Sequence, residues 1–369
     1  MMIYRQGIIL TLRRSWSAAA EYLVQLDDGR EVKALGYVPI VGELSAGDRV
    51  ILSASAYERG LGTGGYMMIV LAPEHLPADP PPQPGHIVKA RYLPQQFMVQ
   101  GVDEQESPHH DLLENADSID SMPVVVADLH SALPAITIGI RSRKPEARIA
   151  YVMTDGGALP AWFSMAGAGL RQEGHIAGTI TCGQAFGGDL EAVNVHSALL
   201  AARHVWQADI AIVAQGPGNL GTGTRWGFSG VACGDALNAV ETLGGIPIAC
   251  VRMSNADQRG RHYGVSHHTL RVLRDVVKVD CYVPLPQFTT LPKDLIPQSW
   301  FDVVDAQISE LESYRHVTLA SVNCDGLYEA LTHSPVGLRT MGRTLDEDVS
   351  SFIAAAAAGR YATGMVQPD

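Results

Sequence analysis

Cysteine is scarce in this chain, and so is charge. The five cysteines, Cys182, Cys233, Cys250, Cys281 and Cys324, form an odd set with no C-x-x-C spacing. That pattern excludes a disulfide framework and a zinc ribbon. Several sit inside apolar runs such as IPIACVR and KVDCYVP, where a free thiol behaves as a small hydrophobe. No run approaches the roughly 20 apolar residues of a membrane-spanning helix; the smoothest, residues 354–358, is five alanines. The N-terminus, MMIYRQGIILTLRRSW, has no basic region ahead of its apolar patch and no small-residue cleavage site, so it reads as a first strand and not as a signal peptide. Basic side chains number 27 against 39 acidic ones, a net charge of −12. A surface of that sign repels phosphate backbones, so neither nucleic acid nor membrane is expected as a partner. A reducing bacterial-type cytosol is the simplest setting.

What the chain does have is apolar mass. Hydrophobic residues make up 46% and charged ones 18%, against about 25% charged in ordinary globular domains. A length of 369 residues suits two or three domains with a large core. Residues 1–73 carry short β-branched and aromatic runs (IYRQGIILTL, EYLVQLDD, REVKALGYV, DRVILSASA and GYMMIVLA) separated by glycine and aspartate turns. They predict a small antiparallel barrel or sandwich. Residues 74–121 read as a linker and connecting segment. Their proline-rich start, PEHLPADPPPQP from residue 73, cannot form a helix or a central strand, and the acidic stretch DEQESPHHDLLENADSID reads as an exposed loop leading into a short helix.

From residue 122 to the end the rhythm is strand, turn, helix. MPVVVADL, ARIAYVMT, HIAGTITC, ADIAIVAQ, IPIACVRM, KVDCYVPL and HVTLASVN recur about 25–40 residues apart, with helical patterns at 159–172, 189–205, 229–243, 266–276, 299–314 and 345–360. Strands that are apolar on both faces belong to a parallel sheet covered on both sides. The expectation is a doubly wound, Rossmann-like α/β domain.

In such sheets ligands bind outside the carboxyl ends of the strands. After ADIAIVAQ comes GPGNLGTGTRWGFSG, residues 216–230, followed by a helix of small residues. Gly216, Gly218, Gly221 and Gly223 allow close approach of backbone amides, Thr222, Thr224 and Ser229 add hydroxyls, and Arg225 adds a cation. Together they form the recipe for an anion or phosphate cradle. The first three glycines match G-x-G-x-x-G, but the loop overruns the third glycine, and Arg252 stands where a dinucleotide site needs an acid. No Gly-Lys-Ser/Thr follows, so a P-loop is absent. A second glycine run, residues 59–66, reads as a bulged hairpin.

His130 and Ser131 follow MPVVVADL, positioned for acid–base work or for a capping turn. Asp155 follows ARIAYVMT and is the best-placed carboxylate, a base, a metal ligand or the closure of an Asx turn. After HIAGTITC, Asp189 reads as a helix N-cap with Glu191 in the first turn, and Cys182 is a weaker nucleophile candidate beside His130. After IPIACVRM, three histidines and two arginines gather between residues 259 and 268. Arg259, Arg261 and His267 are candidates for anion contact. Imidazole could also take a metal, but His267 and His268 are adjacent on a helix opened by Ser266 and are expected to diverge, so no metal site is assigned.

The strings AQGPGNLGTGT, GLGTGGY, LHSALP, DGGALP and VSHHT together resemble a bacterial family of about this length known as a domain of unknown function. The resemblance covers nearly the whole chain and implies no established activity, so it assigns no role to any residue and no cofactor. The residues themselves point to a binder of, or enzyme on, a small anionic or phosphorylated molecule at the carboxyl edge, with Asp155 or His130 for proton transfer. Two alternatives stay open: an assembly or regulatory protein using the glycine loops as contact surfaces, and a nucleotide-dependent enzyme. A homo-oligomer is expected, a dimer being the commonest closed form.

Overall fold

Five strands near the N-terminus close on themselves. They are β1 (Tyr4–Trp16), β2 (Ala19–Leu26), β3 (Glu31–Tyr37), β4 (Arg49–Ser53) and β5 (Met67–Leu71), with a single helical turn, α1 (Val38–Val41), after β3. The barrel order is β1-β2-β3-β5-β4. The computed structural model describes residues 2–288 and 295–367, and the chain forms two compact units, Met1–Gln83 and Pro84–Asp369. The expected barrel is present but is not wholly antiparallel: β3 and β5 run parallel, with Ala34 opposite Met67 and Leu35 opposite Met68. Direction must alternate around an antiparallel ring, and five strands cannot alternate, so one parallel pair is obligatory. Val24, Ala34, Val50, Leu52 and Met67 fill the barrel, taking the inward positions of strands whose side chains alternate.

The second unit opens with a hairpin, β6 (Ile87–Lys89) and β7 (Phe97–Val99), and a helical turn, α2 (His110–Leu113). Its parallel sheet comprises β8 (Pro123–Ala127), β9 (Ile149–Thr154), β10 (Gly178–Thr181), β11 (Leu190–Glu191), β12 (Ile210–Gln215) and β13 (Ile246–Ala249). A two-stranded excursion, β14 (Met253–Ser254) with β15 (Gly264–Val265), precedes the last two sheet strands, β16 (Cys281–Gln287) and β17 (Val317–Asn323). The sheet order is β11-β10-β9-β12-β8-β13-β16-β17, and every pairing in it is parallel. All seven predicted runs are strands of this one sheet. β8, β12 and most of β9 are buried along their length, as two covered faces require.

The helices are α3 (Leu133–Arg141), α4 (Met165–Gln172), α5 (Val195–His204), α6 (Ala232–Thr242), α7 (His267–Arg271), α8 (Gln298–Glu312), α9 (Leu327–Thr332) and α10 (Val349–Thr363). α3 packs with α4, α9 and α10, while α5 packs with α6, the division expected of a doubly wound sheet. α10 explains the alanine run. Residues 354–358 are buried, and α3 and α10 lie so close that a Cβ on Gly139 would sit 1.9 Å from Ala356 O, and one on Gly359 2.1 Å from Ile136 O.

Residues 84–121 pack within this unit. Lys89 is buried, and its Nζ donates to Glu191 Oε2 at 2.8 Å and to the carbonyls of Thr181, Ala185 and Ala192 at 3.2, 2.7 and 3.0 Å. Glu191 is therefore a strand residue and not part of a helix's first turn. Asp189 is not an N-cap either: its Oδ2 accepts from Thr179 N at 2.9 Å and its Oδ1 meets Arg171 at 2.6 Å. The cap belongs to Asn194, which shares a capping box with Ser197. Two side chains that satisfy each other's backbone N–H groups fix that start more firmly than one carboxylate.

Candidate functional site

The connections leaving β8 and β12 run to opposite faces of the sheet, which opens a crevice between their carboxyl ends. A cleft of about 280 Å3 lies there, lined by His130, Ser131, Gln215, the backbone of Gly216 to Asn219, and Arg339. Ligand sites usually span about 300–1,000 Å3, so this one suits a small metabolite. Gly218 N and Asn219 N have no hydrogen-bond partner among the described residues, and Arg339 is exposed and has no ion pair there. Gln215 anchors the floor: its Nε2 donates to Asp128 O at 2.7 Å and reaches Asn219 Oδ1 at 3.2 Å. Its Oε1 is buried without a partner.

His130 starts a 3-10 turn that leads into α3, with Pro134 in the first turn of that helix. Its Nδ1 lies 2.9 Å from Tyr151 Oη and its Nε2 2.7 Å from Ser164 Oγ. Tyr151 Oη also faces the carbonyls of Ala214 and Gln215 at 3.4 and 3.3 Å. A phenol donating to those carbonyls accepts from Nδ1–H, which leaves Nε2 as the acceptor of the Ser164 proton. Burial pushes the His130 imidazole down to about 4, so it is neutral at physiological pH. Ser164 is buried and caps α4, accepting from Gly167 N at 2.8 Å. Cys182 does not pair with His130: both ring nitrogens have other partners, and burial pushes its thiol up to about 12.

The later part of the glycine loop is a small hairpin. Gly221 bridges Phe228, and Thr222 N donates to Gly227 O at 2.7 Å. Thr222 Oγ1 lies 2.9 Å from Thr224 Oγ1, and Ser229 Oγ donates to Asn219 Oδ1 at 2.6 Å, so these hydroxyls hold the loop itself. Arg225 lies at its exposed tip, and a Cβ on Gly223 would come 3.9 Å from Arg261 Nη2. The start of α6 borders a space of only about 10 Å3, room for a single water at most. The cleft thus uses residues 216–219 and not the helix N-terminus.

Beyond the hairpin lies the basic cluster, at the end of β13. The Phe228 ring stacks on His268 with centroids 3.8 Å apart. His262, His267 and His268 have ring centroids 4.4 to 4.9 Å apart. The expected divergence of His267 and His268 does not separate their rings, whose centroids are 4.4 Å apart. Ser266 caps that turn, as expected, by accepting from His268 N. Burial first, and then the neighbouring arginines, push His262 down to about 3; burial and then His268 push His267 down to about 4. Asp128 is half-buried beside them, 3.3 Å from Arg252 and 3.8 Å from His268. Burial alone would raise its carboxyl, but Arg252 and His268 hold it below the ordinary value. Arg259 makes a bidentate pair with Asp257 at 2.9 and 2.7 Å, whereas Arg261 is exposed and has no ion pair among the described residues.

The sequence-predicted residues therefore fall into three places. His130, Gly216 and Gly218 line the cleft. Gly221, Thr222, Gly223, Thr224, Arg225, Ser229, Arg261 and His267 belong to the hairpin and the cluster beside it. Asp155 lies apart from the cleft lining, its Oδ2 accepting from Gln184 N at 2.8 Å.

A family model described as "Protein of unknown function (DUF3866)" matches residues 33–359. The chain belongs to this family. Neither the curated proteins nor the solved structures contain a significant match. The family description leaves activity open, so the site has to be read from its own geometry.

Sequence reasoning missed Arg339, which lies in an irregular stretch between α9 and α10 with no strand end to flag it. It passed over Asp128, the first residue after β8, for the more conspicuous His130. Ser164 and Tyr151 carry no local signal at all, since only the tertiary fold brings them to His130.

Proposed function

We propose that the α/β unit binds a small phosphorylated or carboxylated molecule in the cleft at the ends of β8 and β12. The observation that carries this reading is the conjunction of the open amides of Gly218 and Asn219 with the unpaired guanidinium of Arg339 around a space of about 280 Å3. Amides and a cation converging on one concavity recognise an anion. The volume favours a small metabolite over a dinucleotide. His130 forms part of the cleft wall as a neutral imidazole whose two ring nitrogens are held by Tyr151 and Ser164, so in this reading it shapes the site and is assigned no proton transfer. Asp155 supports the neighbouring loop in this reading. The proposal takes the protein as a homodimer in a bacterial cytosol, a setting supported by its five free thiols. Among the described residues no helix is long and apolar enough to cross a membrane.

A thermal-shift panel of inorganic phosphate, pyrophosphate, sugar phosphates and dicarboxylates tests the reading. A ligand at about 100 times its Kd adds roughly 2.7 kcal/mol of stability. At least one of these anions raises Tm, and Arg339→Ala weakens its binding about 10- to 100-fold, as loss of a charged hydrogen bond does. No shift with any anion, or a shift that survives Arg339→Ala unchanged, contradicts the proposal.

A further inference from the structure

We infer that His262, His267 and His268 form a zinc site with an open coordination position. One ring nitrogen from each residue lies within 4.8 Å of the other two. In tetrahedral zinc, with Zn–N bonds of about 2.0–2.1 Å, the nitrogens stand about 3.3–3.4 Å apart. The three rings therefore need to close by no more than about 1.5 Å, within the reach of small side-chain rotations.

Three further features single this trio out from an ordinary packed histidine cluster. His267 Nε2 is buried and has no hydrogen-bond partner among the described residues, an arrangement that costs about 1–3 kcal/mol unless something accepts its lone pair. His262 has the kind of partner that metal-bound imidazoles have, its Nδ1 lying 2.8 Å from Ser266 Oγ. His268 Nδ1 lies between Arg252 Nη1 at 3.4 Å and the Asp128 carboxylate at 3.8 Å; a metal on Nε2 requires the Nδ1 proton to face Asp128, which has to close by a few tenths of an ångström in place of the Arg252 contact. The face of His268 is fixed by the Phe228 ring.

The surrounding arginines do not forbid a cation. Arg252 is paired with Asp128, Arg259 with Asp257, and Arg271 with Asp275. Arg261 is left uncompensated, placed to favour an anionic fourth ligand such as hydroxide or a carboxylate. Three imidazole ligands select zinc and its late first-row neighbours over magnesium or calcium. Three protein ligands plus an open position is the arrangement of catalytic zinc and not of structural zinc. This inference is independent of the anion reading, since the cleft is lined by other residues.

The test uses full-length protein stripped with a chelator, confirmed folded by circular dichroism, and titrated with Zn2+ against a chromophoric competitor. One equivalent binds, and Co2+ in its place gives the intense visible bands of a four-coordinate site. His267 is only half-buried, so His267→Ala is the variant expected to fold; it weakens zinc binding more than about 100-fold, beyond the 10–100-fold that outer partners control. Asp128→Asn weakens it about 10- to 100-fold. Absence of stoichiometric zinc binding in the folded protein, a weak octahedral cobalt spectrum, or unchanged affinity in folded His267→Ala overturns the inference. The cobalt spectrum of the unmodified protein decides even where variants fail to fold.

Discussion

Residues 183–188 and 216–230 leave parallel strands at the same edge of one sheet, and both are rich in glycine, yet they use it differently: the first packs all of its glycines, whereas the second packs Gly216, Gly227 and Gly230 and leaves Gly218 and Gly221 open. In the first loop the glycines are packing residues. A Cβ on Gly187 would lie 2.5 Å from the Trp162 ring, and one on Gly188 2.7 Å from Thr179 O. The carboxylate of Glu191 beneath it accepts from Lys89, Thr181, Gly187 and Gly188. In the second loop, Gly218 and Gly221 face open space, and the neighbouring polar groups include atoms without partners, Gln215 Oε1 and His267 Nε2. Satisfied polar groups and filled space mark structure; open space beside unpaired donors and acceptors marks a place for a ligand.

The largest expected effect breaks the first loop. Lys89→Met leaves Glu191 buried without its cation and costs about 3–5 kcal/mol, read as a lowered urea midpoint; a cost under about 1 kcal/mol would show that this side is not held by the pair. Gly187→Ala comes next, at about 1–3 kcal/mol, because the backbone has φ +84° and the ring leaves no room.

Acid sharpens the contrast from the other side. His130 is lowered from 6.5 to about 4, so between those values the unfolded chain binds a proton that the folded chain does not. Its contribution is fully present above pH 6.5 and is lost as pH falls toward 4. Denaturation midpoints measured across that window fall for the unmodified protein and fall less steeply for His130→Gln. Equal slopes would mean that the imidazole is not held neutral by the fold. The smallest effect is Gly221→Ala, whose added methyl meets nothing within 4 Å and changes stability by no more than about 0.5 kcal/mol. A large loss of stability there would make the second loop a packing element like the first.

This contrast also explains what was legible beforehand. Apolar strands spaced by helices are a local signal, and β8, β9, β10, β12, β13, β16 and β17 carry it, so the doubly wound sheet could be read directly, whereas the two-residue β11 lay in a stretch expected to be helical. The barrel could be read as well, apart from its one parallel pair, which follows from ring closure and not from any residue. The site was half legible. Strand ends pointed to His130 and Gly216, because the fold class itself says where to look. Asp155 and Gly221 stand out equally in sequence, yet one closes on Gln184 and the other faces open space. Lys89 falls in a stretch expected only to connect, and nothing nearby announces the carboxylate of Glu191, about a hundred residues further on, that it neutralises. Arg339 reaches the cleft and Ser164 reaches His130 only through chain folding, which no local pattern encodes.

Hydrogen exchange in the presence and absence of pyrophosphate, or of the anion that shifts Tm most, tests the central claim most directly. The account predicts added protection at residues 129–131 and 216–221, with residues 183–188 unchanged because their amides are already bonded to Val193, Asp155, Cys182, Leu159 and Glu191. Protection that appears at 183–188, or a bound anion that leaves 216–221 exchanging as before, would contradict it.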